Sequence, residues 1–401
     1  MAERSLAGQV SFEWPTRRLR QALALFGAIL LAGCQTMVPK TQAPAPPPPA
    51  KPATPPPSTA LPTDSERHRI ALLVPLTGPN AAVGQSIANS TTMALLDTKT
   101  ERLRITTYDT GKDATAAARQ AVAEGNKLIL GPLTGDEVKA VAPIARAAKV
   151  PVVSYSNDAS VAGNGVFLLG YAPGQSIDRV IRYAHGRGAR NFAALVPKGV
   201  YGERAGAAFL AAVKSAGGTP VGMETFDRSA ASVSAAVKRL STRSSYDALL
   251  IADIGRIAVQ VAPQVKSSES GANARLLGTE LWNTDNSISA SAALRGAWFA
   301  SVSDGLYRTL ASKYRTSYGT TPYRLASLGY DSVLLTVRIS QGWTPGSDFP
   351  TARLTDPDGF AGIDGAFRFS GSGMAERALE IQQVDAGSIS VIDAAPRGFG
   401  K

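Results

Sequence analysis

Leu128-Ile-Leu-Gly-Pro-Leu-Thr-Gly-Asp-Glu-Val-Lys-Ala-Val-Ala-Pro-Ile-Ala-Arg-Ala-Ala-Lys-Val-Pro-Val-Val-Ser-Tyr-Ser-Asn-Asp158 reads as strand, glycine turn, helix and second strand. Leu128 to Leu130 is a short apolar run closed by Gly131-Pro132. Thr134, followed three residues later by Glu137, forms a capping box, in which each side chain satisfies a backbone N–H that the helix start leaves free. Val138, Val141, Ala145 and Ala148 recur at helical spacing, and Pro151-Val152-Val153 is the next strand. The turns Thr134-Gly135-Asp136 and Ser154 to Asp158 open on one edge of a parallel sheet, the edge where open α/β sheets hold ligands.

The same rhythm runs outward in both directions. Strand starts near residues 70, 103, 127 and 151 form one set of four, and those near 192, 219, 247 and 275 form another, with helical patterns between them. Two sets of βα units predict an α/β fold of two doubly wound, Rossmann-like lobes. Residues 305–341 return to helical spacing, and Phe367-Arg368-Phe369, Ile381 to Val384 and Ser390 to Asp393 return as strands, so the chain crosses between the lobes more than twice. The expected boundaries are 67–172 plus 302–350 for lobe 1 and 173–301 plus 361–401 for lobe 2.

The N-terminus speaks to compartment. Arg17-Arg18-Leu19-Arg20 is a positive segment, Ala22 to Leu31 an apolar run short for a bilayer, and Leu31-Ala32-Gly33-Cys34 follows at once. That tetrapeptide resembles a bacterial lipobox, with residues 1–33 as a lipoprotein signal peptide and lipidation at Cys34. Gln35 after the cysteine favours the outer membrane, facing the periplasm. Cys34 is also the only cysteine, which excludes an internal disulfide and a catalytic or metal-binding thiol in the folded part. Pro39 to Pro62 holds eleven prolines, a composition that suits an extended polyproline tether over 34–66, with a reach on the order of 70 Å.

Composition narrows the function. Of 401 residues, 44% are hydrophobic and 18% charged, an ordinary globular balance. The net charge of +11 falls to +9 once the four arginines and two glutamates before Cys34 are removed. The basic residues are scattered, which favours attraction to polyanionic surroundings over nucleic-acid binding. The two histidines, His68 and His185, have no neighbouring nucleophile or metal-ligand spacing, and Gly111-Lys112-Asp113 lacks the frame of a phosphate-binding loop. Neither enzyme activity, nor a metal, nor a cofactor is expected.

Several motifs then fall in a known order. Ile70 to Pro79 with Gly84-Gln85, Tyr201-Gly202-Glu203, Leu328-Gly329-Tyr330-Asp331-Ser332-Val333 and Gly365-Ala366-Phe367-Arg368-Phe369 resemble type I periplasmic binding proteins of the leucine/isoleucine/valine-binding kind. That resemblance spans nearly all of Ile70 to Asp393 and implies lobes hinged about a cleft. Within it, Val153 to Asp158, Ser160 to Gly163 and Leu168-Leu169-Gly170-Tyr171-Ala172-Pro173 are more similar to the penicillin-binding-protein activator lipoproteins of alphaproteobacteria.

For amino-acid-binding members the resemblance implies a hydroxyl and N–H groups that hold the ligand carboxylate, aromatic cover, and an acid for the ammonium. These roles map onto Thr134 and Gly135, Ser156 and Asn157, Tyr201, and Glu280, with Trp282 as an apolar wall. Two departures stand against them. Asp136 and Glu137 already place carboxylates at the helix start, and the usual serine is Gly135. Thr134, Asp136 and Glu137 can equally be plain helix caps, and Asn157 and Asp158 plain turn residues. The resemblance implies, first, a non-catalytic regulator that touches a peptidoglycan synthase, a penicillin-binding protein. The alternative is a solute-binding lipoprotein of an ABC importer, taking a branched-chain amino acid, an amide or a similar small polar ligand in the cleft.

Overall fold

The computed structural model describes residues 66–242, 245–283 and 285–399. The expected signal peptide, Cys34 and all but the last residue of the tether lie outside the described residues. Among the described residues no helix is long and apolar enough to cross a membrane.

The first lobe begins β1 (His68–Val74), α1 (Ala81–Thr98), β2 (Leu103–Asp109), α2 (Ala114–Ala123), β3 (Leu128–Leu130), α3 (Gly135–Ala147), β4 (Val152–Ser154) and β5 (Val166–Leu168). Its five strands are parallel, in the order β2-β1-β3-β4-β5. β1 shows why: Ile70, Leu72 and Val74 face one apolar cluster while Ala71 and Leu73 face another. A strand apolar on both faces is stable only with helices on both sides. Each such Leu or Ile, withdrawn from water, contributes roughly 1.5–3 kcal/mol.

The second lobe runs α4 (Pro173–Gly186), β6 (Asn191–Pro197), α5 (Val200–Ala216), β7 (Thr219–Phe226), α6 (Ala230–Ser241), β8 (Ala248–Ile251), α7 (Gly255–Lys266), β9 (Arg275–Gly278), α8 (Ser287–Ala290) and β10 (Trp298–Ser301). The chain then returns to the first lobe with α9 (Gly305–Tyr318) and α10 (Ala326–Ser340), the latter packed along α1. β11 (Phe360–Gly362), β12 (Gly365–Phe369) and β13 (Ala375–Arg377) form a small antiparallel sheet. β14 (Glu380–Val384) and β15 (Ile389–Asp393) finally join the second sheet, which is ordered β15-β14-β10-β9-β8-β6-β7. Residues 169–172, 302–304 and 378–379 are therefore the three segments that cross between the lobes.

Three details differ from the sequence reading. The sheets hold five and seven strands, and β5 in the first and β10 in the second are strands that the sequence reading does not place. β5 has only three residues, too few to show a period, and it bonds to β4 in line with the other strands. The sequence places residues 361–401 with the second lobe, yet Phe360, Phe367, Phe369 and Ala375 pack with Leu72, Leu328 and Leu335 of the first. The apolar face of this small sheet closes the first-lobe core, and the chain rejoins the second lobe only at β14.

Candidate functional site

The opening turn is closed on itself. The Thr134 N–H and hydroxyl donate to Glu137 Oε2 at 2.8 and 2.9 Å, and the Glu137 N–H donates back to Thr134 Oγ1 at 3.3 Å. Thr110 Oγ1 donates to the other Glu137 oxygen at 2.5 Å. The hydroxyl that would hold a ligand carboxylate is thus engaged by a carboxylate of the chain itself.

Gly135 shows the same occupation by a different acid. A Cβ built there would lie 2.7 Å from Asp158 Oδ2 and 2.9 Å from the Asp158 Cβ, so a serine at this position would collide with Asp158. Asp158, in the turn after β4, accepts from the Ser160 N–H at 3.0 Å and from the Ser160 hydroxyl at 2.6 Å. It also pairs at 2.6 Å with Arg204 Nη2, on α5 of the opposite lobe. Burial pushes the Asp158 carboxyl upward, but the Ser160 and Arg204 donors outweigh it and hold the group below its ordinary value. Ser156 is buried, with its hydroxyl accepting from the Asp158 N–H at 3.1 Å, while Asn157 is exposed. Thr134 and Gly135 at the start of α3 and Ser156 in the turn after β4 are therefore each engaged or crowded by Glu137 or Asp158, the chain's own acids.

On the second lobe Glu280 is enclosed. Ser176 Oγ donates to Glu280 Oε2, and Tyr201 OH approaches Oε1 at 3.4 Å and Thr279 Oγ1 at 3.2 Å. Burial raises the Glu280 carboxyl above its ordinary value, opposed by the Ser176 and Tyr201 hydroxyls, and burial with the neighbouring Glu280 charge raises the Tyr201 phenol. The structure brings Glu280 and Tyr201 together, but Trp282 is core and not cleft wall. It has no exposed surface, packs against Phe299 with ring centroids 5.9 Å apart, and donates its indole N–H to the Asp253 carbonyl at 3.1 Å. The tight fit of Gly278, whose added Cβ would lie 2.2 Å from the ring, explains the inward turn.

Beside Glu280, the crossing segments enclose a cavity of about 50 Å³, lined among others by Tyr171, Ser176, Glu280, Arg324, Arg377 and Leu379. In a measure where one water needs roughly 10–15 Å³, this holds only a few waters. The surrounding charges form a network that the sequence did not single out as a site. Arg324 Nη1 donates to Asp364 Oδ1 at 2.6 Å and to Ser327 Oγ at 2.9 Å, and Arg324 Nη2 reaches Asp304 Oδ1 at 3.4 Å. Tyr171 donates to the second Asp364 oxygen, which also accepts from Ser327 at 2.7 Å. Arg377 donates to the Leu169 carbonyl at 2.6 Å, lies 4.8 Å from the Tyr171 ring centroid, and faces Asp331 at 4.0 Å. Burial, with the Asp364 charge, pushes Asp331 up to about 7 against the opposing pull of Arg377. Tyr171 and Asp331 lay inside quoted motifs as pattern residues. Arg324 and Arg377 carried no sequence signal, because folding alone brings them to the crossing segments.

Among the described residues no group of His, Cys, Asp and Glu side chains could hold a metal. Glu280 and Asp364 are each met by a serine hydroxyl, from Ser176 and Ser327, and Asp364 also by the Arg324 guanidinium.

A model of the periplasmic binding protein family matches residues 68–388. A leucine-binding protein, LivK, from Thermotoga maritima is similar in fold, with TM-score 0.59 at 19% identity over 82% of this chain and 98% of that one. LivJ from Streptococcus pneumoniae, solved with isoleucine, gives TM-score 0.58 at 17% identity over 82% of this chain and 100% of that one. Full-length LpoA from Haemophilus influenzae gives TM-score 0.65 at 18% identity over 82% of this chain and 59% of that one. In sequence, an uncharacterised protein of Rickettsia prowazekii is 34% identical over 137 residues, 33% of this chain and 36% of that one.

Proposed function

Since the chain belongs to the periplasmic binding protein family, whose model matches residues 68–388, we propose that it is a regulator of a peptidoglycan synthase that acts by protein contact. It works without catalysis, from the periplasmic side of the outer membrane, anchored by a lipid at Cys34. The observation that carries this reading is the Asp158–Arg204 pair, 2.6 Å across the cleft, with Asp158 against Gly135. The chain's own carboxylate stands where a solute's carboxylate would need donors, and like charges at such a site repel. The fold likeness to LpoA accords with the resemblance of Val153 to Pro173 to penicillin-binding-protein activator lipoproteins.

The test is direct. Purified mature protein is mixed with each bifunctional penicillin-binding protein of its own cell, and binding, glycan polymerisation and crosslinking are measured. Faster synthesis by at least one of them is expected; no binding and no change with any of them removes the proposal. Anchoring is checked separately by fractionation, where Cys34→Ala should move the protein from the membrane to the soluble fraction.

A second reading, solute capture for an ABC importer, is favoured by the cavity between Glu280 on one side and Arg324 and Arg377 on the other. Opposite charges at the margins of a small, mostly apolar space suit a zwitterion or an amide. A thermal-shift screen of amino acids and small amides decides it: stabilisation at micromolar ligand, abolished by Glu280→Ala, would establish capture in place of regulation.

A further inference from the structure

The seven-stranded sheet of the second lobe ends in two edges that differ in composition, although each shifts register once against its neighbour, β15 where β14 passes from Ile381 to Gln382. β7 is blunted by Pro220 and Gly222, and the register slips between Phe192 and Ala193 on its neighbour β6. β15, Ile389-Ser-Val-Ile-Asp393, contains no proline, glycine or lysine. Among the described residues its backbone bonds to β14 alone, which leaves a row of N–H and C=O groups on the outer side. Val391 in its middle is 53% exposed.

A groove of about 970 Å³ opens along the same face, between Gln382, Ile389 and Val391 of the second lobe and Tyr307, Arg308 and Tyr323 of the first. Tyr323 is 51% exposed there, and with Val391 it gives the groove apolar surface in a chain whose other large side chains are mostly inside. Arg308 is exposed and has no acidic partner among the described residues.

We propose that β15 receives an extended segment of the partner synthase as an added strand. The inference rests on the proposed regulatory function and names the contact surface for it. The occupant follows from the chemistry of the edge. Only another extended polypeptide offers N–H and C=O groups at matching spacing, and it would point alternate side chains into the groove. Those side chains are apolar against Val391 and Tyr323, with a carboxylate opposite Arg308. A second copy of this chain is a poor occupant. Five paired residues span about 17 Å, and contact along so short a line falls short of the ~800 Å² per partner of a stable dimer.

The experiment uses the purified mature chain and the soluble periplasmic part of each bifunctional penicillin-binding protein of the same cell. Affinity is measured for wild type, Val391→Lys and, as a control on another exposed surface, Leu96→Lys; amide exchange is followed with and without the synthase. The expected result is protection of residues 387–393, at least a tenfold loss of affinity for Val391→Lys, and no loss for Leu96→Lys. Full binding by Val391→Lys with no protection at β15 overturns this inference and leaves the regulatory reading standing. Binding to no synthase removes both. A concentration-dependent dimer of the chain alone, broken by Val391→Lys, would assign the edge to a second copy and overturn the inference.

Discussion

Asp158 does three things at once: it fills the space beside Gly135, orders the Ser160 turn and reaches Arg204 on the other lobe. Its carboxyl is held below the ordinary value, so in linkage terms the folded state favours the charged form. The stability this contributes is present in full above the unfolded pKa of about 3.9 and is lost as pH falls through the lower, folded value. Arg204→Ala is therefore expected to cost about 0.5–1 kcal/mol at pH 7, since the pair is only partly buried. The difference between variant and wild type should shrink towards zero below about pH 4, as the loss of the charge removes the pair in both proteins. Urea titrations at pH 7, 5 and 3 check this. A difference that stays constant across that range would mean that Arg204 acts by packing alone.

At the scale of elements, α3 has the best-defined start in the chain, and its cap is where structural and functional readings diverge. If Thr134 is a cap, Thr134→Ala should lower stability by about 1 kcal/mol, and Thr134→Ser should retain most of it. The shift should appear in the denaturation midpoint at unchanged slope. If Thr134 served a solute, the same change would leave the midpoint nearly intact and weaken ligand binding instead. The cap was readable from Thr134 and Glu137 because capping is local, settled within four residues. The alternation of strands and helices was readable for a related reason, since buried parallel strands such as Ile70 to Val74 are apolar runs between turn residues. β5 and the small sheet from Phe360 to Arg377 were not placed correctly. Three-residue strands carry no period, and which lobe an apolar face closes is decided by partners hundreds of residues away, such as Leu72 against Phe367. Glu280 and Tyr201 meet in the fold, but Trp282 lies in the core because nothing local tells an inward indole from a cleft wall.

For the whole molecule, the two lobes are joined at both ends of the cleft. At the mouth stands Asp158–Arg204; at the crossing segments, Arg324 ties Asp364 of the first lobe to Asp304, which also accepts from Asn283 of the second at 2.9 Å. A solute receptor exchanges open and closed forms because the ligand supplies the bonds that hold the lobes together, and a ligand can shift that balance only by its differential affinity for the two forms. Here the chain supplies those bonds itself, so closure should not depend on solute. Cys34 being the only natural thiol, Cys34→Ala with cysteines at exposed Leu96 on α1 and Leu210 on α5 gives one spin-label pair across the lobes. Pulsed distance measurements should return one narrow distribution, unchanged by millimolar branched-chain amino acids. Adding Arg204→Ala should broaden it by releasing the mouth while the crossing network holds. Two populations in the parent protein that shift when leucine or isoleucine is added would reverse the argument: the latch would be one state of a working receptor, and solute capture would take precedence over regulation by contact.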